Sequence, residues 1–514
     1  MTERARRAIV VAGVMLTIFL AAMESTVVAT AMPTIVASLG GLKIYSWVFT
    51  AFLLASTVTM PIWGRFSDLL GRRTTYLVGI GIFLLGSALS GLSQSMAQLV
   101  FFRALQGLGA GSLITLGMTV VGDIYELEER AKMQGYFSGV WAVASLVGPL
   151  LGGLLADHVS WRWVFYINLP FGALAALAVG WGLAQAPRPT RRVSIDFRGA
   201  AVFTVAISAL LLGLVEAGRV ASWLNPFVLG MLVLAAALLP VFIFVERRTE
   251  TPMVPLDLFA SPMVRAAAAT GFLAGMAMFG AITYIPLYVQ AVVGTTATQA
   301  GVVLMPFVLG WVACSILSAR LVLRVGYRVV VVAGMVSLTL AFLRLTGWDQ
   351  TLTVTLAIRD VLLGGFGMGL IMVPMLIAVQ NAVPRAHLGA ATSMTQFFRV
   401  IGGAVGIAVM GAVMGHRLQT ELARVTTAAG VTLGAQVKEL VSQPDLIVSP
   451  LTRGLLDTAI LASVRLALAR ALHDVFVVGL VVALVALASA FLVPTGRARD
   501  LAAAREPAPT SRVR

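Results

Sequence analysis

The stretch that decides the fold is a short basic turn with a single acid, which lies between two long apolar segments: Gly64-Arg65-Phe66-Ser67-Asp68-Leu69-Leu70-Gly71-Arg72-Arg73. A weaker copy lies between two later apolar segments, Ser318-Ala319-Arg320-Leu321-Val322-Leu323-Arg324-Val325-Gly326-Tyr327-Arg328. A charged hinge that occurs twice in this setting is typical of membrane proteins built from two similar halves that rock against each other. The sequence therefore predicts an internal repeat with a hinge at the same place in each half.

The composition places the chain in a membrane. Of its 514 residues, 59% are hydrophobic and only 11% are charged, which is far too apolar for a soluble domain. Apolar runs of about 20 residues recur along nearly the whole length, and a helix needs about this length to cross a bilayer. A transmembrane β-barrel would instead show alternating segments of about ten residues. The sequence therefore predicts an all-α polytopic membrane protein.

Fourteen apolar segments are candidate spans. Their predicted bounds are roughly 9–37, 46–64, 75–93, 97–121, 134–156, 163–184, 199–217, 225–245, 265–290, 298–319, 329–346, 352–378, 390–414 and 473–493. An even number of spans puts both termini on the same side, where the connectors hold most of the basic residues, among them Arg6, Arg191, Arg247 and Arg324. By the positive-inside rule we expect both termini in the cytoplasm and the chain in the bacterial cytoplasmic (inner) membrane.

The same connectors account for the formal net charge of +15. Such a charge can indicate nucleic-acid binding, but here the basic residues lie in short turns between spans, where they mark the cytoplasmic side. We therefore expect membrane lipids around the chain and no nucleic-acid partner.

The two hinges predict a division into bundles. The predicted parts are an N-terminal six-helix bundle in 1–190, two inserted spans with their linkers in 191–262, a C-terminal six-helix bundle in 263–496, and a cytoplasmic tail in 497–514. Each hinge then falls between the second and third helix of its half. The second bundle includes a long outer loop, 415–472, where helical periodicity near its end predicts short amphipathic helices at the membrane surface.

Several motifs resemble those of the major facilitator superfamily. The first hinge, Gly64-x-x-x-Asp68-x-x-Gly71-Arg72-Arg73, resembles its signature loop, and Arg103-x-x-Gln106-Gly107-x-Gly109 resembles its fourth-helix motif. Gly148-Pro149-x-x-Gly152-Gly153 resembles the fifth-helix motif of its antiporters. The segments 26–35, 161–170 and 396–403 resemble the fourteen-span drug:proton antiporter branch. The resemblance implies two six-helix bundles plus two inserted helices, and export of hydrophobic or cationic drug-like compounds in exchange for protons by alternating access.

The first hinge also makes physical sense as a gating loop of Gly64, Asp68, Gly71, Arg72 and Arg73. The glycines permit tight turns. Asp68 can pair with neighbouring arginines, or it can lie at the positive N-terminal end of a helix in the other half. Either contact would form in one conformation and break in the other, as a rocking mechanism requires. The alternative is that these charges only fix the topology.

The glycines and proline of the fifth span predict close helix packing. Gly148, Gly152 and Gly153 have no side chains and let helices approach each other, while Pro149 interrupts the hydrogen-bond ladder of a helix. We expect a tight interface between the halves here, and ordinary helix packing is the alternative.

Charged residues inside spans are costly in hydrocarbon and are functional candidates for that reason. Glu24 lies about 15 residues into its span, or roughly 22 Å, and Arg103 lies roughly 9 Å deep from the opposite side. The two residues could therefore lie at similar depth in a core of about 30 Å. Burial favours the protonated form of a carboxyl and a nearby cation favours the ionised form, so Glu24 is the predicted proton or substrate site. A fixed structural pair with Arg103 is the alternative.

The second half contains a matching set. Asp360 is a candidate second proton site, and its neighbour Arg359 lies at the same depth. Adjacent helix residues do not share a face, so at most one of them should face a central cavity. Arg399, near the middle of its span, is predicted to be a structural anchor. Aromatic, methionine and glutamine side chains that could line a pocket are Trp141, Met276, Phe279, Tyr284, Tyr288, Gln290, Met368, Met372, Gln396 and Phe397.

Other classes of protein find less support. The sequence has no Walker A motif, no recognisable catalytic constellation and a single cysteine, Cys314. We therefore expect no enzyme activity, no metal and no cofactor, with protons as the coupling ion and a small hydrophobic or cationic substrate. A monomer is expected because each chain encloses its own pathway. The alternatives are an exporter or flippase of lipids or other endogenous amphiphiles, and a receptor or scaffold that transports nothing.

Overall fold

The computed structural model describes residues 2–39, 45–184, 196–220, 223–250, 252, 254–295, 297–429 and 458–495, which form helices and short turns. The helices are α1 (Glu3–Leu39), α2 (Tyr45–Leu70), α3 (Arg72–Leu92), α4 (Met96–Ile124), α5 (Leu127–His158), α6 (Trp163–Tyr166), α7 (Asn168–Gly182), α8 (Phe197–Val220), α9 (Pro226–Arg248), α10 (Pro262–Leu287), α11 (Ala297–Val325), α12 (Tyr327–Thr346), α13 (Val354–Ala382), α14 (Leu388–Ala429) and α15 (Thr458–Ala490). Short 3₁₀ turns cover Leu256–Ala260 and Arg385–His387, and a π-helical turn, Tyr288–Val293, extends α10.

Thirteen helical segments among the described residues are long and apolar enough to cross a membrane. The short α6 and α7 together form one of them, Trp163–Gly182. The helix α5, which is 32 residues long, is outside this set. The predicted all-α membrane fold is thus confirmed with about thirteen candidate spans.

Two separate hydrophobic cores organise the helices. One core is built from buried residues between Val10 and Leu183, and the other from buried residues between Leu258 and Val493. In the first, α1 packs on α4, α5 and α7; in the second, α13 packs on α11 and α12, and α14 packs on α10 and α15. We call these two bundles the first half and the second half.

The helices α8 and α9 form a hairpin that contacts both halves. Phe203 of α8 packs on Phe242 of α9 and on Phe397 of α14, with ring centroids 5.1 and 5.4 Å apart. Val58 of α2 belongs to the same cluster. The hairpin therefore joins one helix of each half, and apolar side chains on α9 such as Phe244 stay exposed, as lipid contact requires.

The two hinges have the same backbone turn. Gly71 precedes α3 with φ 91°, and Gly326 precedes α12 with φ 85°. Residues with a side chain rarely adopt this conformation, so glycine is required at both turns. We call the end of the bundle that carries both turns the hinge end. Gly64, which we expected in a turn, lies instead inside α2, and a Cβ atom there would be 2.6 Å from the carbonyl oxygen of Gly389 on α14.

The prediction of an outer loop at 415–472 is partly wrong. Its described ends are not separate surface helices, because they continue α14 as far as Ala429 and begin α15 at Thr458. Glu421 explains why these extensions pair, since its carboxylate accepts hydrogen bonds from Arg424 at 3.1 Å and from Arg470 of α15 at 2.8 Å. The rest of the loop, 430–457, and the predicted tail beyond 495 lie outside the described residues.

Candidate functional site

The first hinge holds a chain of charged contacts. The Arg72 guanidinium donates to Asp68 at 2.5 Å, to the Ser67 hydroxyl at 2.7 Å and to Asp123, at the end of α4, at 2.6 Å. The Asp68 side chain is only 1% exposed, so its contact with Arg72 is shielded from solvent. Arg73 points elsewhere and donates to the Gly180 carbonyl oxygen of α7 at 2.9 Å.

Asp68 also reaches the other half. The backbone N–H groups of Gly389 and Ala390, in the first turn of α14, donate to its two carboxylate oxygens at 3.0 and 2.9 Å. These N–H groups have no partner within their own helix, and the positive end of the helix dipole favours a carboxylate there. The two contacts that the sequence left as alternatives for Asp68, with an arginine and with a helix N-terminus, therefore occur together.

More polar contacts join the halves near the hinge end. Arg130 of α5 donates to the Asn381 side-chain oxygen of α13 at 3.1 Å. Gln380 of α13 donates to the Met118 carbonyl oxygen of α4 at 3.3 Å, and Gln396 of α14 donates to the Met118 sulfur at 2.9 Å. The structure is thus a conformation in which the hinge end is closed.

The first half contains a buried ion pair, in which Arg103 of α4 donates to Glu24 of α1. Both side chains are at most 2% exposed. The second carboxylate oxygen of Glu24 accepts from the Asn168 amide of α7 at 2.6 Å, and the same amide donates to the Ser87 hydroxyl of α3 at 2.9 Å. Glu24 therefore links α1, α4 and α7 through hydrogen bonds shielded from water.

Arg103 is held on every side. It donates to Gln106 at 2.7 Å and to the Val48 carbonyl oxygen at 3.3 Å, and its guanidinium lies 4.1 Å from the ring centre of Phe52. These contacts fix the cation next to Glu24 and make their pairing insensitive to solvent.

Sequence reasoning missed Asn168, which donates to Glu24, and Ser87, which accepts from the same Asn168 amide. Asn168 lies inside the segment 161–170, whose resemblance we noted only as a whole. An amide at the start of an otherwise apolar helix was the signal that could have identified it.

The second half contains its own carboxylate cluster, separate from the first. The buried Asp360 accepts from Arg359 at 2.9 Å, from the Trp348 indole at 3.1 Å and from Arg344 at 3.3 Å. The two arginine side chains are about half exposed, at 53% and 54%. The four predicted coupling residues thus form two pairs, one in each half.

Arg399 differs from these pairs. It forms no hydrogen bond or ion pair with any described residue, and its Nε atom is completely buried. No contact of its guanidinium with a described residue supports the role of structural anchor, which stays a prediction.

The fifth-span motif does not break its helix. The helix α5 continues through Gly148, Pro149, Gly152 and Gly153 to His158, although Pro149 has no N–H to donate to the hydrogen-bond ladder. Its packing against α1 in the first half and α11 in the second half places it between the halves.

Some of the suggested pocket residues serve packing instead. Tyr288 stacks with Trp348 and Phe476, at ring-centroid distances of 5.3 and 5.7 Å. Tyr284 donates to the Ile407 carbonyl oxygen at 3.0 Å, and Phe397 contacts the inserted hairpin.

The structure has two helical bundles that meet at a closed charged hinge, and each bundle has an ion pair among its apolar helices. This arrangement is typical of a multi-pass membrane transporter. The chain belongs to the Major Facilitator Superfamily, whose family model matches residues 14–407. Members of this family are transporters and not enzymes, which confirms both the predicted superfamily and the absence of enzyme activity.

Two bacterial relatives cover nearly the whole chain. Multidrug transporter protein MdtP of Bacillus subtilis is 35% identical over 96% of this chain and 94% of its own length. Multidrug resistance protein 3 of the same organism is 32% identical over 97% of this chain and 96% of its own length. A solved structure, the human organic anion transporter MFSD10 (TETRAN), matches 94% of this chain and all of its own with a TM-score of 0.61 and 17% identity, which shows the common fold.

Proposed function

We propose that this chain exports hydrophobic or cationic drug-like compounds in exchange for protons, by alternating access. The two relatives named as multidrug proteins support the cargo class. The single observation that carries proton coupling is Glu24, because it is a titratable carboxyl sealed inside the first half and bound to helices α4 and α7.

The proposed topology has fourteen spans: the thirteen apolar segments described above and α5. It packs between α1 and α11, so it has the position of a bundle helix. The basic connectors support a cytoplasmic location for the hinge end and for both termini by the positive-inside rule. The membrane would then be the bacterial cytoplasmic (inner) membrane, and the described conformation is closed toward the cytoplasm.

Protonation of Glu24 changes the balance of its cluster. The ionised carboxylate neutralises Arg103, whereas a protonated carboxyl leaves that guanidinium without a counter-charge in a buried site. This change of charge occurs where α1, α4 and α7 meet, so it can alter how these helices pack. In the proposed cycle, Glu24 releases its proton toward the cytoplasm as the compound binds, and it is protonated again from outside as the compound leaves.

Reconstituted liposomes with an internal pH-sensitive dye test this cycle. An imposed proton gradient and a panel of lipophilic compounds are applied to the unchanged protein, to Glu24→Gln and to Asp360→Asn as the matched carboxylate in the other half. We expect compound-dependent proton movement that is lost in Glu24→Gln and kept in Asp360→Asn. The reverse pattern would move the coupling site to Asp360. Absence of proton movement with every compound in the unchanged protein would refute antiport.

A further inference from the structure

The guanidinium of Arg399 lies in the middle of the bundle. Arg399 follows Leu388, the first residue of α14, by 11 residues, which is about 16 Å at about 1.5 Å per residue. A hydrocarbon core of about 30 Å places it near the centre of the membrane.

The side chain lies on the face of α14 that points into the molecule. Residues on this face recur at spacings of three, four and seven, which keeps them on one side of a helix: Thr392, Gln396, Arg399, Gly403 and Met410. The members on either side of Arg399 all contact other helices.

The contacts of these neighbours define the surroundings. Thr392 accepts from Gln380 of α13 at 3.3 Å, and Gln396 donates to Met118 of α4 at 2.9 Å. Gly403 lies against Phe279 of α10, one turn beyond Arg399. Arg399 therefore faces the region enclosed by α4, α10 and α13, which belong to both halves.

This cation has no counter-charge among the residues that the structure describes. A guanidinium stays charged in proteins and has five N–H donors to satisfy. The intramembrane carboxylates of the described residues that could neutralise it are already paired: Glu24 with Arg103, Asp68 with Arg72, and Asp360 with Arg344 and Arg359. The Nε atom of Arg399 is buried and the residue as a whole is partly buried. A charge inside the membrane without a partner is unfavourable, so its presence calls for a counter-ion from outside the chain.

We propose that Arg399 binds an anionic group of the cargo, so that the chain takes hydrophobic compounds with a carboxylate, sulfonate or phosphate. This inference rests on the proposed export function and adds hydrophobic anions to its cargo class. The planar guanidinium can hold such a group through two parallel hydrogen bonds. Phe279 of α10, whose ring contacts the next turn of α14 at Gly403, supplies an apolar surface for the body of the compound.

A matched pair of fluorescent probes tests the proposal. Pyrenebutyrate and pyrenebutylamine have the same apolar body and opposite charges at neutral pH. The full chain is placed in lipid nanodiscs, and energy transfer from its 9 tryptophans to pyrene reports probe that lies on or close to the protein. The signal with Arg399→Gln measures the part that does not depend on this site. We expect the unchanged protein to bind the carboxylate more tightly than the ammonium compound.

Substitutions of Arg399 should remove this preference. Arg399→Gln should weaken pyrenebutyrate binding by roughly tenfold to a hundredfold and leave pyrenebutylamine binding unchanged or tighter. Arg399→Lys keeps the charge but loses the paired hydrogen bonds, so it should give an intermediate preference. Arg265→Gln removes one positive charge from the same half at the exposed start of α10, and it should change neither affinity.

Equal binding of both probes by the unchanged protein, or equal losses for both in Arg399→Gln, would overturn the proposal. If Arg399→Gln does not elute as a single species, the preference measured for the unchanged protein and for Arg399→Lys decides the question. The liposome assay separates this result from the proposed function. Charge-selective binding without proton movement would refute antiport alone, whereas proton-coupled export without selective binding would refute the anion site alone.

Discussion

The two hinges share one framework but differ in their charged contacts. When Gly326 is aligned with Gly71, Arg328 corresponds to Arg73. Arg73 donates through Nε to the Gly180 carbonyl oxygen, and Arg328 donates through Nε to the Val493 carbonyl oxygen. In each case the acceptor lies at the last helix of the same half. Both glycines have positive φ. These shared features are structural, since they tie the third helix of each half to its sixth.

The difference lies at two positions. Asp68 corresponds to Leu323, so the second hinge has no acid that could reach a helix of the first half. Arg72, which pairs with Asp123 of α4, corresponds to Tyr327, whose hydroxyl accepts from Asn381 of α13 at 2.9 Å. The first hinge therefore closes through ionised groups and the second through a tyrosine and an amide.

Each hinge is nevertheless connected to the fifth helix of the opposite half. Asp68 accepts from the first turn of α14, and Asn381, beside Tyr327, accepts from Arg130 in the first turn of α5. The repeat thus retains the place of the contact while its chemistry differs. We conclude that the Asp68 contact should dominate closure and the Asn381 contact should support it.

The largest expected effect is that of Asp68→Asn. The substitution removes the charge that pairs with Arg72 and with the α14 N-terminus, and it leaves Arg72 partly unbalanced in a buried site. Loss of one partner of a buried pair costs about 3–5 kcal/mol, so the closed hinge end should open. Spin labels at Leu70 and Ala386, which are exposed on either side of the hinge end, measure this opening after replacement of Cys314 by alanine.

The matched control for Asp68→Asn is Arg324→Gln, which removes an exposed charge from the second hinge. It should leave the distance between the labels unchanged. An Asp68→Asn protein with the same distances as the unchanged protein would remove the basis for treating the first hinge as dominant.

The hinge itself could be predicted from the sequence, but much of the site could not. Both partners of Asp68 were foreseen because a local pattern of glycines, one acid and arginines limits what that acid can contact. The partners of Glu24 were harder to predict, since Arg103 and Asn168 are 79 and 144 positions away in the sequence. Only the packing of α1, α4 and α7 brings the three residues together.

The role of Gly64 and the lack of a partner for Arg399 could not be predicted from the sequence either. Gly64 looked like a turn residue, and only the approach of α14 shows that it makes room for another backbone. The lack of a partner for Arg399 is a property of the whole fold, because it depends on where every other charged side chain points.

A smaller effect is expected from the contact between Arg130 and Asn381. Hydrogen bonds to a charged group contribute about 1.5–3 kcal/mol, and this one is partly buried. Arg130→Gln and Asn381→Ala should each favour the open hinge end less than Asp68→Asn does. In the same labelled protein, the double variant should open less than the sum of the single effects, which measures the coupling between the two residues. Strictly additive effects would mean that the contact does not contribute to closure.

The smallest effect should come from Gly71→Ala and Gly326→Ala, and it tests what the hinges share. Both glycines combine a positive φ with an extended ψ, a backbone conformation that is essentially restricted to glycine, and such strain costs about 1–3 kcal/mol for a residue with a side chain. Each substitution should therefore lower the thermal unfolding temperature of the purified protein by a similar amount. If only Gly71→Ala lowers it, the second turn can relax without cost, and the framework that we treat as common to both hinges would belong to the first hinge alone.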